Sequence, residues 1–296
     1  MGERKSNKIP GKPSNTLGPI RAQGLGDIEP ELKIDESATY EEAGPTITRQ
    51  GRDGIDKSRA GGEAGDMLSR LLAAKDAETG ARMSDQQAQD EVKSLILAGH
   101  ETTSLALSWT FYLLSRHPEI EARLVEEVCR VLGSRSPTVE DVPRLEYTRM
   151  VFLETMRLYP PVPAVLRVAR EADGFDGIEV AAGERIALSV YVTHRHPELW
   201  SQPEVFDPER FAPARASSIV PFSYLPFLFG RRACVGEHFA MLEGVVALAM
   251  IVSRYRLERD GSGPIGTRPI MTLRLAEPLR MRVLRREAPR STSLPA

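Results

Sequence analysis

The stretch from Asp85 to about Ser115 constrains this chain more than any other. Ser84 followed by Gln87 forms a capping box, so the stretch opens as a helix. Its second half is apolar nearly all round: Leu105, Leu107, Trp109, Phe111, Leu113 and Leu114. A helix without a polar face runs through a protein interior, with other elements packed around it. It is not a membrane span, which takes about 20 mostly apolar residues in a row. Val92 to Leu114 carries Lys93, His100 and Glu101, and the run Phe239 to Val252 is shorter and carries Glu243.

The neighbours of that helix are legible. His117-Pro118 ends it, and Pro118 opens a further helix to Leu132, closed by Gly133. Another helix runs from about Leu145 to Leu158 and stops at Pro160-Pro161, and Glu237 to Tyr255 forms one more. Ile186, Leu188, Val190 and Val192 alternate with Ala187, Ser189 and Tyr191, which predicts a strand. Met271 to Leu275 and Leu279 to Val283 alternate again and predict a late hairpin. The ordered part is therefore mainly α with small β-sheets, and without regular βαβ alternation. Order is expected from Asp66, where Met67, Leu68, Leu71 and Leu72 share a helical face. Residues 1–65 are rich in Gly and Pro, hold Tyr40 as their one aromatic residue, and sustain neither period; disorder is expected there.

The charge balance, 39 Lys and Arg against 41 Asp and Glu, argues against a nucleic-acid partner, whose phosphates call for a basic excess. Two cysteines are too few for a disulfide scaffold or a Cys-based zinc site. The N-terminus shows no apolar signal core, so a cytoplasmic protein is expected.

Chemistry concentrates in two segments. In Phe227-Leu228-Phe229-Gly230-Arg231-Arg232-Ala233-Cys234-Val235-Gly236, one cysteine sits between two glycines just before a helix. The helix start and the two arginines favour a thiolate. A single thiolate suits one axial bond to haem iron better than tetrahedral zinc, while the plain alternative is a cysteine packed at a helix start. Ala98-Gly99-His100-Glu101-Thr102-Thr103 lies within the long helix. Gly there costs roughly 1 kcal/mol against Ala, which a flat ligand on the helix would explain. Proton delivery would explain Glu101 and Thr102; threonines bonding back to helix carbonyls are the alternative. Glu154 and Arg157 share a helix face, as many weak, solvated pairs do.

Taken in order, these segments resemble the cytochrome P450 family: A-G-x-[D/E]-T at Ala98–Thr102, E-x-x-R at Glu154–Arg157, P-E-R-F at Pro208–Phe211, and F-x-x-G-x-R-x-C-x-G at Phe227–Gly236. The resemblance covers about Asp66 to Val283. It implies haem b, with Cys234 as the metal ligand and Phe227 packed near it. It implies Arg232 and Arg167 as partners of the haem propionates, and Gly236, Ala98 and Gly99 as part of the cofactor site. Thr102 and Glu101 are implied as the catalytic pair that handles oxygen and protons. Glu154, Arg157 and Arg210 are implied as a buried network holding the Cys loop. Leu228 departs from the family pattern, which has a small residue after the Phe, and crowding of the loop is expected from it.

The implied domain layout is 1–65 unrelated to the family, 66–284 the haem-binding C-terminal part of an incomplete cytochrome P450 fold, and 285–296 a tail. The family's earlier helices, sheet and W-x-x-x-R segment have no counterpart before Trp109, so the apolar face near Leu105 and Trp109 is expected to meet water. The implied activity is a monooxygenase that inserts one oxygen atom from O2 into a small organic substrate. Its electrons come from NAD(P)H through a ferredoxin or flavin reductase. Two alternatives stand beside it: a non-catalytic haem-binding remnant or interaction protein, and a peroxide-driven or isomerising haem-thiolate enzyme. Glu101 and Thr102 argue against the last.

Overall fold

The computed structural model describes residues 67–286, together with Asp53 and Ile55. Apart from Asp53 and Ile55, the stretch 1–65 where disorder is expected and most of the expected tail lie outside the described residues.

Among the described residues, four helices make the core. After a short α1 (Met67–Ala73), α2 (Asp85–Leu114) starts on the predicted capping box: Ser84 Oγ accepts from Gln87 N, and Gln87 Oε1 accepts from Ser84 N. Its second half is buried, Trp109 completely. This corrects the expectation that the face near Trp109 meets water. The indole stacks on Tyr159 at 3.9 Å, and its Nε1 donates to the Leu273 carbonyl at 2.9 Å. Helix α3 (Pro118–Leu132) is amphipathic and presents Ile120, Leu124, Val128, Val131 and Leu132 to the core. A 3-10 turn, Val139–Arg144, leads to α4 (Glu146–Leu158), which is buried over most of its length. Buried Glu127 of α3 caps α4, accepting from the Tyr147 and Thr148 amides at 2.7 and 2.8 Å. This satisfies donors that a helix start otherwise leaves open.

The strands β1 (Val165–Val168), β2 (Asp173–Phe175), β3 (Ile178–Val180) and β4 (Arg185–Leu188) follow α4. β1 pairs with β4 and β2 with β3, both antiparallel. The strand predicted through Val192 ends at Leu188. Ser189 Oγ accepts from Val192 N and starts a single helical turn, α5 (Val190–Thr193), so the apolar alternation there is helical. An irregular stretch with the 3-10 turn Pro208–Phe211 and the short α6 (Pro213–Ala216) leads to the Cys segment.

Helix α7 (Glu237–Arg254) packs on α2, α3 and α4. Its crossing with α4 is set by Gly244. A methyl group there would lie 2.3 Å from the Phe152 ring, so only glycine lets the helices approach this closely. The chain ends in β5 (Tyr255–Arg259), β6 (Thr267–Pro269), β7 (Leu273–Leu275) and β8 (Met281–Arg285). The predicted late hairpin between the last two strands does not form. β7 pairs with β6, and β8 returns to β5 beside α7. Alternation marks a strand but not its partner. β8 also carries the ordered chain past the expected boundary at 284. The result is a helical core rimmed by four separate two-stranded sheets. No helix among the described residues is long and apolar enough to cross a membrane.

Candidate functional site

The Cys segment is a loop held by its backbone. Cys234 N donates to Phe227 O at 2.9 Å, which closes the turn that contains the 3-10 residues Gly230–Arg232. Gly230 takes φ 71°, a conformation glycine adopts without strain. Gly236 does not serve a left-handed turn; its φ is −91°. A methyl group there would instead touch Cys234 Sγ, at 3.8 Å. Leu228 takes φ 59°, so the residue after the Phe has to be left-handed. That gives the physical reason for a small residue there. The departure at Leu228 therefore costs about 1–2 kcal/mol through its backbone.

Cys234 is a free thiol and is exposed, and it lies three residues ahead of α7 rather than in its first turn. Phe227 is half-buried against the core. Phe229, Val235 and Phe239 are exposed apolar side chains around the thiol. Arg232 is exposed on the same loop, and Arg167 is exposed on β1, where Nη1 donates only to the neighbouring Leu166 carbonyl. Neither arginine pairs with a carboxylate among the described residues.

The predicted network beneath the loop is present. Arg157 grips Glu154 in a bidentate pair at 2.7 and 2.8 Å, and Arg210 Nε reaches Glu154 Oε1 at 3.3 Å. The Asp207 amide donates to the same oxygen. Arg157 also uses its remaining donors, on the carbonyls of His194, Pro203 and Val205, and Arg210 Nη2 bonds that of Gln202. Burial pushes the Glu154 carboxyl up, and the Arg157 guanidinium pulls it back towards ionisation.

His194 is fully buried in this network. Its Nδ1 lies 3.1 Å from Arg157 O, and its Nε2 accepts from Leu225 N at 2.7 Å. The imidazole thus ties the end of α4 to the segment that enters the Cys loop. Three residues ahead of Pro197, it carries no periodic or spacing signal that could reveal this.

In α2, Ala98 and Gly99 are exposed, and a methyl group at Gly99 would meet nothing within 4 Å. Thr102 Oγ1 donates to Ala98 O at 2.7 Å, the back-bonding arrangement, and keeps its lone pairs free to accept. Glu101 is half-buried and turns towards β7. Its Oε1 accepts from Thr272 Oγ1 at 2.9 Å and from Arg274 Nη2. Neither Thr272 nor Arg274 carried a functional signal in the sequence. No hydrogen bond or ion pair joins the Ala98–Thr103 turn to the Cys loop among the described residues.

The profile of the family described as Cytochrome P450 matches residues 46–282. Cyclooctatin synthase of Streptomyces melanosporofaciens is 46% identical over 225 residues, 76% of this chain and 49% of that protein. Pentalenene oxygenase of Streptomyces avermitilis is 36% identical over 218 residues, 74% of this chain and 48% of that protein. Among solved structures, the cytochrome P450DA haem domain superposes with a TM-score of 0.77 at 33% identity. That alignment covers 82% of this chain and 54% of the other. The chain therefore belongs to the cytochrome P450 family. It spans about half the length of the curated relatives it matches.

Proteins of this family bind haem b, iron protoporphyrin IX, through a thiolate. The donor set fits that group. There is one exposed thiol for an axial bond, two guanidiniums without carboxylates for propionates, and open space beside Gly99 for a flat ring. No cluster of three or more metal-binding side chains competes with it among the described residues.

Proposed function

We propose that this chain carries the haem-binding and oxygen-handling part of a cytoplasmic monooxygenase. The reaction places one oxygen atom from O2 in a small organic substrate, with electrons from NAD(P)H through a ferredoxin or flavin reductase. The observation that carries the reading is Cys234. Its thiol is exposed and without a hydrogen-bond partner, on a loop closed by the Cys234–Phe227 backbone bond. The buried Glu154–Arg157–Arg210 network holds the backbone between His194 and Val205 at four carbonyls, and His194 in turn bonds Leu225, just ahead of the loop.

When bound, the haem supplies the one-electron and O2 chemistry. The chain's own residues bind, orient and move protons. Cys234 would hold the iron as thiolate, Phe227 would pack near that sulfur, and Gly236 would leave room beside it. Arg232 and Arg167 orient the group through its propionates, as charge-assisted donors. Ala98 and Gly99 let it lie against α2. Thr102, whose hydroxyl donates to Ala98 O, would accept a further hydrogen bond on its lone pairs, and Glu101 would pass protons through Oε2, the carboxylate oxygen that Thr272 and Arg274 leave open.

The test is spectroscopic, on the haem-loaded chain, reduced and treated with carbon monoxide. The red-shifted band of thiolate ligation is expected, and it is lost in Cys234→Ala and kept in Cys129→Ala. Retention of the band in Cys234→Ala overturns the assignment.

A further inference from the structure

We infer that Arg274 is a positioning residue for Glu101, so that the β6–β7 hairpin sets where this carboxylate points. The inference rests on the reading of Glu101 as the proton-handling acid. Helix α2 supplies no cation for Glu101. The residues one turn away on the same face are Leu97, Ala98, Ser104 and Leu105. The charge partner comes from a segment more than 170 residues later in the chain.

Arg274 lies in β7 and Thr272 in the bend just before it, and both side chains reach Glu101, while Leu273 between them is 2% exposed in the core. Thr272 Oγ1 and Arg274 Nη2 both donate to Glu101 Oε1, and Arg274 Nε lies 3.4 Å from Thr272 Oγ1. Oε2 receives no hydrogen bond among the described residues. One oxygen is therefore fixed and the other stays available to take and give a proton.

The backbone of the hairpin is itself anchored. Leu273 N donates to Pro161 O at 2.9 Å, and Leu273 O accepts from Trp109 Nε1 at 2.9 Å. Trp109 lies about two turns along α2 from Glu101. The hairpin is thus fastened to α2 at two points, one a buried hydrogen bond, one ionic and half-exposed. The ionic point is 38% and 35% exposed on its two sides, so its main effect is orientation rather than stability. The guanidinium suits this, because its planar fork fixes direction where an ammonium would give only charge.

Two measurements test the proposal. The first is amide hydrogen exchange over residues 272–274 in the full chain. Arg274→Gln and Glu101→Gln are each expected to speed exchange by about 5-fold, and the double variant no further, with Arg274→Lys between. Unchanged or additive rates overturn the clamp. The second is the share of electrons released as hydrogen peroxide by the haem-loaded protein. Arg274→Gln is expected to raise it in the same direction as Glu101→Gln, at unchanged haem content, with partial rescue by Arg274→Lys. A rise in Glu101→Gln without one in Arg274→Gln overturns the positioning role. No rise in Glu101→Gln overturns the reading of Glu101 as the acid, and the positioning role with it, whatever the exchange rates show of the clamp.

Discussion

His194 illustrates how much one buried ring settles. With Nε2 accepting from the Leu225 amide, the imidazole must be neutral and carry its proton on Nδ1, where it donates to Arg157 O. Burial is the largest cause that pushes its pKa down, to about 4. In the unfolded chain the same group titrates near 6.5. The unfolded state therefore binds the extra proton between those values. His194's contribution to stability is complete above pH ~6.5 and disappears as pH falls towards ~4, up to about 3 kcal/mol. Urea unfolding at pH 7 and near pH 4.5 checks this. The pH dependence is expected to shrink in His194→Gln, which keeps a donor and an acceptor but does not titrate. Equal pH dependence in both proteins would refute it.

At the scale of elements, the network around Glu154 joins α4 to the irregular stretch ahead of the Cys loop. Glu154→Ala leaves Arg157 and Arg210 buried without their anion, which costs about 3–5 kcal/mol. The variant is expected to lose that much stability by urea denaturation and to retain haem poorly, whereas conserved stability would show that the network is dispensable. The order Glu154, Arg157, Arg210, Cys234 made this network legible from sequence, because its members sit in motifs. The helices were legible for a related reason: Ser84, Pro118, Gly133 and Pro160 mark their ends by local chemistry. Pairings across the chain were not. Val190 and Val192 continue a strand pattern, yet Ser189 caps a helical turn under them. Leu279 to Val283 reads as a partner for Met271 to Leu275, yet pairs with the strand after α7. The partners of Glu101 come from β7 and the bend just before it, where side-chain alternation does not show what those side chains meet.

The described residues divide into a continuous helical core and four two-stranded sheets that share no strand. A two-stranded ribbon is marginal by itself and stands only through what it touches. The β2–β3 ribbon has largely exposed residues and turns at Asp176 and Gly177 with positive φ, so its amides are expected to exchange fastest among the strands. Leu273 in β7, buried and bonded to Pro161, is expected to exchange at a rate close to that of α4. Matching rates across all four ribbons would mean that they open together. Separate ribbons have a consequence for how such a chain varies over generations. In one broad sheet, an inserted residue shifts the register of every strand beyond it. Here the damage stops at the ribbon that carries it, so the rim is free to be lengthened, shortened or exchanged piece by piece while the scaffold beneath the thiol keeps its shape.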